Sequence, residues 1–163
     1  MARKRILSTL DTSITYDALG LDIAKEDVAL AAFGDDHDEP YFVDKLTFDG
    51  LYALLADMAP TLVAMEPCSG AHQIAEHIEA LGHQVMMISG KHVQAWVKDH
   101  CNGQKTDLND AFAILNLAYD RWLTPIRGKT GSVRISVSGE VIPGAAQRGC
   151  PLYLRCSMPD LMR

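Results

Sequence analysis

Four acidic residues have types and positions that could support metal-dependent chemistry: Asp22, Glu66, Asp107 and Asp110. Asp22 lies within an apolar, strand-like run in the segment GLDIAK, and Glu66 follows a second such run and begins EPCSG. Asp107 and Asp110 are one turn apart at the start of an amphipathic helix in KTDLNDA. Because an unpaired buried carboxylate is costly, Asp22 and Glu66 need either hydrogen bonds from helix N-termini or a shared cation.

A shared pair of divalent cations is the hypothesis that this layout favours. Mg²⁺ prefers carboxylate and other hard oxygen ligands, and two such ions roughly 4 Å apart can activate a nucleophile and stabilise the leaving oxygen of a phosphodiester. Acids in the first turn of a helix also interact favourably with the helix dipole, so Asp107 and Asp110 alone would be interpreted as capping residues. The combination of four acids favours a Mg²⁺ or Mn²⁺ site that acts on nucleic acid.

The elements that must position these acids can be predicted from the apolar pattern. Short apolar runs predict three consecutive antiparallel strands, at residues 19–24, 28–33 and from 41. Helical spacing and buried runs then alternate, with helices at 48–58, 70–81, 91–100 and from 107, and strands at 62–65 and 85–88. This order predicts an α/β fold with a mixed sheet and helices packed on its faces.

One globular domain is expected between two atypical ends. Residues 1–16 lack a clear period and are predicted to be a flexible leader, with the domain spanning residues 17–125. Residues 1–125 contain 9 Lys and Arg against 19 Asp and Glu, a net charge of −10, whereas residues 126–163 contain 6 against 2, a net charge of +4. This basic tail is predicted to be disordered or out of the original reading frame, and an ordered hairpin that pads the sheet is the alternative.

Composition narrows the class of protein. No apolar run approaches the roughly 20 residues of a membrane span, and the N-terminus lacks the apolar segment of a signal peptide, so a cytoplasmic protein without membrane contact is expected. The acidic body argues against broad nonspecific binding of nucleic acid through its own surface. A contact bridged by metal remains compatible with this charge, because the metal supplies the positive charge.

Four further residues are candidates for nucleic-acid contact. Lys25 follows the first strand and Lys105 precedes the DLND helix, so either could meet a phosphate near the metal site, with a solvated surface lysine as the alternative. Lys91 and Trp96 place a basic and an aromatic group on one predicted helix, where Trp96 could be a stacking platform for a base. A tryptophan packed in the core is the alternative for that position.

At GLDIAK, MEPCSG and KTDLNDA the chain closely resembles the three motifs of the DEDD transposases of the insertion-sequence one-hundred-and-ten family, which are related to the Piv and MooV invertases. The resemblance covers about residues 17–125 with the expected order and spacing. It implies an RNase H-like, RuvC-type domain in which Asp22, Glu66, Asp107 and Asp110 are the catalytic and metal-binding tetrad. It also implies DNA as the substrate, a structured noncoding bridge RNA as the guide, and a homo-oligomer.

The chain departs from that family after Pro125. Family members continue into a long linker helix and a second domain that carries a catalytic serine, and neither pattern follows in this sequence. We therefore expect the catalytic domain of a transposase in a truncated or frameshifted copy, which would not complete strand exchange by itself. Two alternatives stay open: a noncatalytic remnant that binds RNA or partner subunits, and a free-standing resolvase or exonuclease with the same fold.

Overall fold

The computed structural model describes residues 5–34 and 39–120, which form one mixed sheet with helices on both faces. In chain order the elements are β1 (Arg5–Leu7), β2 (Ala18–Ile23), β3 (Asp27–Phe33), β4 (Pro40–Thr47), α1 (Phe48–Asp57), β5 (Leu62–Met65), α2 (Ala71–Ala80), β6 (Gln84–Met87), α3 (Gly90–His100) and α4 (Asp107–Ala118). The predicted strands and helices are confirmed, whereas the tail predicted over residues 126–163 lies outside the described residues. None of the described helices is long and apolar enough to cross a membrane.

The strands are arranged in the order β1-β4-β3-β2-β5-β6. Neighbours β2 and β3, and β3 and β4, are antiparallel, whereas β5 joins β2 and β6 joins β5 in parallel. Three antiparallel strands that lead through helices into two parallel ones agree with the RNase H-like fold predicted from the motifs. The first strand of that arrangement, β2, is therefore central, with β3 on one side and β5 on the other.

Alternation of side chains along the strands separates two cores. Leu19 and Leu21 of β2 pack on one face with apolar residues of α1 and α2. Ala18, on the other face of the same strand, packs with Ala111 and Leu115 of α4. We call this second face, which α3 and α4 cover, the α4 face. Its strand residues are mostly small, which lets α4 lie close to the sheet: Ala18, Gly20, Ala29, Ala31 and Ala64.

Threonine caps begin two of the four described helices. Thr47 Oγ1 accepts a hydrogen bond from Gly50 N at 3.1 Å at the start of α1. Thr106 Oγ1 accepts one from Asn109 N at 3.1 Å at the start of α4. Both threonines have extended backbone angles, as an N-cap residue requires. The second cap confirms the predicted start of the helix that carries the DLND acids.

The N-terminal segment is more ordered than its sequence pattern indicates. Arg5–Leu7 form β1, which pairs in parallel with β4 at one edge of the sheet. Leu10 and Tyr16 are 3% exposed and belong to the core of the face covered by α1 and α2. The described part of this segment therefore differs from the flexible leader predicted over residues 1–16. A three-residue strand and two isolated apolar side chains show no period, so the pattern did not reveal them.

Candidate active site

Asp22 and Glu66 lie side by side near the carboxyl ends of neighbouring parallel strands. β2 and β5 are in register, with Leu21 opposite Met65, so the next residue along each chain is one of the two acids. Leu21 and Met65 both pack on the face covered by α1 and α2. Because side chains alternate, both acids are turned toward the α4 face. Both are partly buried there.

Gly20 allows α4 to lie directly against β2. A Cβ built on Gly20 would be 2.5 Å from Leu115 N and 2.8 Å from Leu115 Cβ, and it would also meet Ala111 O. Real Cβ atoms do not approach backbone this closely, so any larger residue would push the helix away from the sheet. The contact holds the first turn of α4 beside Asp22, two residues further along the strand.

The two acids of DLND occupy different environments. Asp110 is 6% exposed, and its charge raises the pKa of both Asp22 and Glu66. Asp107 is exposed at the start of the helix, and its charge also raises the pKa of Asp22. The structure thus brings Asp22, Glu66 and Asp110 together, with Asp107 on the solvent side of the group. Their spacing of one helical turn predicted neighbouring positions for the two helical acids and did not distinguish them.

Burial and repulsion from neighbouring acids hold the pKa values of Asp22, Glu66 and Asp110 above their ordinary range. Burial, followed by the charges of Asp110, Asp107 and Glu66, raises the pKa of Asp22 to about 6. Burial and then the charge of Asp110 raise the pKa of Glu66. Burial also raises the pKa of Asp110, with a further increase from Asp107. Carboxylates grouped in this way repel one another as anions, and a bound cation relieves that repulsion.

Lys105 supplies a positive charge at the edge of this group. Its Nζ lies 3.9 Å from Asp110 Oδ2, and its side chain is 76% exposed. Its charge lowers the pKa of Asp22, Glu66 and Asp110, which partly offsets the effect of burial. Because Lys105 is largely exposed and its Nζ is 3.9 Å from the carboxylate, this ion pair contributes little to stability. Lys105 can therefore leave Asp110 for another anion at small cost.

Asn109 fixes the segment that carries Lys105. It is buried, and its Nδ2 donates a hydrogen bond to the Gln104 carbonyl oxygen at 2.7 Å. Its backbone N donates to Thr106 Oγ1, so one residue ties both the cap and the preceding segment to the first turn of α4. This role could not be predicted from the sequence. Its partner is a backbone oxygen, which leaves no signal in the pattern of residue types.

The other residues predicted to contact nucleic acid are not part of the acidic group. Lys25 is exposed in the turn after β2 and Lys91 is exposed at the second residue of α3, and in the described part of the chain neither forms an ion pair with the acids. Trp96 is 6% exposed, stacks on His100 with ring centroids 4.3 Å apart, and meets Phe112 edge to face at 5.6 Å. Its environment is that of the packed-core alternative rather than of an exposed stacking platform.

The donor set of the four acids suits a hard divalent cation. Every one of them offers carboxylate oxygens, the ligands that Mg²⁺ and Mn²⁺ prefer. Within residues 5–34 and 39–120, no group of three or more His, Cys, Asp or Glu side chains is close enough to form a ready-made metal cage. Asp22, Glu66 and Asp110 lie near enough to other acids for those charges to raise their pKa values. A bound cation would still have to draw the carboxylates together.

Comparison with known protein families shows which family this chain belongs to. The model of the IS110 family of DEDD transposases, described as "Transposase", matches residues 19–134, which is more than two thirds of the chain. The chain belongs to the IS110 family. This is the family whose motifs the sequence resembles, and the matched region in this IS110 chain extends beyond the boundary predicted at residue 125.

Three curated relatives of this IS110 chain are named as transposases, two of them for insertion sequence elements. Over 64 residues it is 48% identical to the transposase for insertion sequence element IS1328 of Yersinia enterocolitica, which covers 39% of this chain and 18% of that protein. Over 100 residues it is 34% identical to a probable family 20 transposase of Pseudomonas aeruginosa, and the match covers 61% of this chain and 28% of that protein. Over 128 residues it is 30% identical to the transposase for insertion sequence element IS1111A of Coxiella burnetii, and the match covers 78% of this chain and 33% of that protein. The matched regions thus span at most a third of the length of these relatives.

Proposed function

We propose that this IS110-family chain provides the catalytic domain of a DNA transposase, which cleaves and transfers DNA strands with the help of a divalent cation. The observation that supports the proposal is the grouping of Asp22, Glu66 and Asp110 on the α4 face, where burial and mutual repulsion raise their pKa values. In this proposal Asp107, at the exposed side of the group, completes a metal-binding tetrad.

The chain's own residues would hold the reacting groups on rigid elements. Mg²⁺ or Mn²⁺ bound at the tetrad would supply charge stabilisation and an activated nucleophile for phosphodiester cleavage. Asp22 and Glu66 come from paired positions at the ends of two central strands. Asp110 comes from a helix that the contact at Gly20 holds against the sheet. Sites built on strands and helices in this way are held more accurately than sites on loops.

Lys105 is the residue we propose to meet a DNA phosphate beside the tetrad. Its Nζ is within 3.9 Å of Asp110 Oδ2 and its side chain is largely exposed, so a phosphate that approaches the acids comes within reach of the ammonium group. Lys25 and Lys91, which lie outside the acidic group, remain predicted contacts with DNA. Because the body of the domain is acidic, we expect binding of DNA to depend strongly on bound metal and on these lysines.

Other parts of the proposal are drawn from the family rather than from contacts in the structure. They are the structured bridge RNA as guide and a homo-oligomeric assembly. The cytoplasmic location was expected from the sequence and stays a prediction. The activity and the partners of a whole transposase likewise belong to the proposal, because the chain matches at most a third of its curated relatives.

A nuclease assay on the purified 163-residue chain tests the proposed function. Nicked and branched DNA substrates are incubated with Mg²⁺ or Mn²⁺, with and without a chelator, and the expected result is metal-dependent strand cleavage. The variants Asp22→Asn and Glu66→Gln should lose this cleavage, whereas Asp44→Asn, which alters an exposed acid of β4, should retain it.

The other outcomes of the assay separate the competing hypotheses. Absence of cleavage with either metal would favour a noncatalytic remnant that binds RNA or partner subunits. Cleavage that Asp22→Asn and Glu66→Gln leave unchanged would contradict the proposed site. Cleavage of specific branched substrates without any guide RNA would favour a free-standing resolvase or exonuclease.

A further inference from the structure

We propose that Gly90 is a positioning residue for Glu66, because the missing side chain at position 90 leaves the space in which the Glu66 carboxylate lies. This inference rests on the proposed function, since it concerns how one acid of the tetrad is oriented. Gly90 is the first residue of α3, the helix that follows β6. Because β5 and β6 are parallel and in register, with Met65 opposite Met87, their carboxyl ends bring Glu66 next to the start of this helix.

The contact between the two residues leaves no room for a methyl group. A Cβ built on Gly90 would meet Glu66 Oε1 and would lie 3.3 Å from Glu66 Cδ. These are the neighbours that such a Cβ meets within 4 Å, and both belong to the carboxylate group of Glu66. Any other amino acid at position 90 must therefore displace that carboxylate.

The backbone does not explain why position 90 is glycine. Gly70, Gly82 and Gly103 have positive φ angles, which favour glycine, but Gly90 is not among the described residues with a positive φ. Within a helix, alanine is more favourable than glycine by about 1 kcal/mol. The helix itself would therefore accept alanine at position 90. What opposes alanine there is the Glu66 carboxylate, which occupies the space that the Cβ would need.

Displacement of the carboxylate should weaken metal binding rather than folding. Glu66 directly follows β5, so its backbone is fixed and only its side chain can move away from a new methyl group. In the metal-free chain, moving it toward Asp22 or Asp110 increases repulsion between like charges. Moving it toward solvent takes it further from the other acids that a bound cation has to draw together. Changes to residues that orient a metal ligand typically cost 10- to 100-fold in metal affinity. We expect Gly90→Ala to weaken Mn²⁺ binding by about tenfold or more.

The test is a Mn²⁺ titration of the full chain by calorimetry, together with thermal unfolding in the presence of a chelator. Gly90→Ala should unfold at the same temperature as the wild type or higher, yet bind Mn²⁺ at least about tenfold more weakly. Gly50→Ala, a glycine-to-alanine change in α1 far from the acids, is the matched control and should keep wild-type affinity. In a Glu66→Ala background, adding Gly90→Ala should cause no further loss, because the displaced carboxylate is no longer present.

Each other outcome contradicts the inference in a recognisable way. Wild-type affinity in Gly90→Ala, with Mn²⁺ bound by both proteins, would overturn the role of Gly90 and leave the proposed function intact. An equal further loss in the Glu66→Ala background would show that Gly90 acts through something other than Glu66. A Gly90→Ala chain that fails to fold would show that glycine is needed by the helix itself. A wild-type chain that binds no Mn²⁺ would overturn the proposed function, and the inference with it.

Discussion

Gly20 lies so close to Leu115 that a Cβ on the glycine would be 2.5 Å from Leu115 N and 2.8 Å from Leu115 Cβ. This contact joins the central strand to α4 and sets the distance between Asp22 and the acids of the helix. Most other strand residues of the α4 face are also small. Among the described glycines, only Gly20 is placed so that an added methyl group would meet the backbone of α4. The geometry of the proposed site thus depends on a residue that carries no functional group.

Gly20→Ala is expected to destabilise the domain strongly. Overpacking of a tight core costs about 1 to 3 kcal/mol, and because the new methyl group meets backbone rather than a movable side chain, we expect about 3 kcal/mol. The free energy of unfolding measured with urea checks this. The control is Gly50→Ala in α1, where the nearest atoms to the Cβ would be side-chain atoms that can shift, Leu46 Cδ1 at 3.0 Å and Thr47 Oγ1 at 3.1 Å, rather than backbone. A similar small effect of both changes would contradict the close approach of α4 to β2.

Asp22→Asn is expected to stabilise the metal-free fold at neutral pH. Burial and the neighbouring acids raise the pKa of Asp22 in the folded chain from 3.8 to about 6, so the folded state favours the protonated carboxyl. The stability from this group is fully present below its unfolded pKa and is lost as the pH rises through about 6. Asparagine stays neutral, so the variant should match the wild type near pH 4 and exceed it at pH 7 by roughly 1 kcal/mol after screening by solvent.

Urea unfolding of both proteins in a chelator, at pH values from about 4 to about 7, measures this difference. Asp44→Asn serves as the control, because Asp44 is an exposed acid on β4 and its change should give no such rise with pH. An Asp22→Asn chain that is less stable than the wild type at pH 7 would contradict burial of Asp22 among like charges.

Thr106→Ala should lower both stability and metal affinity. The side chain of Thr106 accepts a hydrogen bond from Asn109 N at 3.1 Å, and loss of such a cap costs about 1 kcal/mol. Fraying of this first turn would also loosen Asp107 and Asp110, so Mn²⁺ should bind more weakly in a calorimetric titration.

The same change at the other threonine cap separates the two effects. Thr47 accepts from Gly50 N at the same distance of 3.1 Å, but it begins α1, on the opposite face of the sheet. Thr47→Ala should therefore lose about as much stability as Thr106→Ala while keeping wild-type metal affinity. Equal losses of affinity in the two variants would indicate a general effect of stability rather than a role for the start of α4.

The part of the fold that rests on periodic patterns was predictable from the sequence. The strands and the amphipathic helices each depend on residues close together in the chain, and the structure confirms them. The side-by-side placement of Asp22 and Glu66 also follows from local patterns once β2 and β5 are parallel neighbours, because parallel strands align their carboxyl ends.

What the sequence could not show depends on contacts between distant segments. The buried state of Asp110 and the exposed state of Asp107 depend on how α4 is rotated against the sheet, which helical spacing leaves open. Gly20 did give a signal, since a glycine inside a buried strand often marks a close approach of backbone. Gly90 gave none, because glycine is ordinary near the start of a helix and only the fold brings Glu66 next to it.

The central claim is that Asp22, Glu66, Asp107 and Asp110 form a divalent-metal site. A calorimetric titration of the full chain with Mn²⁺ at neutral pH tests it most directly. The wild type should bind Mn²⁺, and Asp22→Asn and Glu66→Gln should each bind it at least about tenfold more weakly, since each removes a charged ligand. Asp44→Asn should bind as the wild type does. Equal affinity in the wild type and in the two tetrad variants, or no binding by the wild type, would contradict the account.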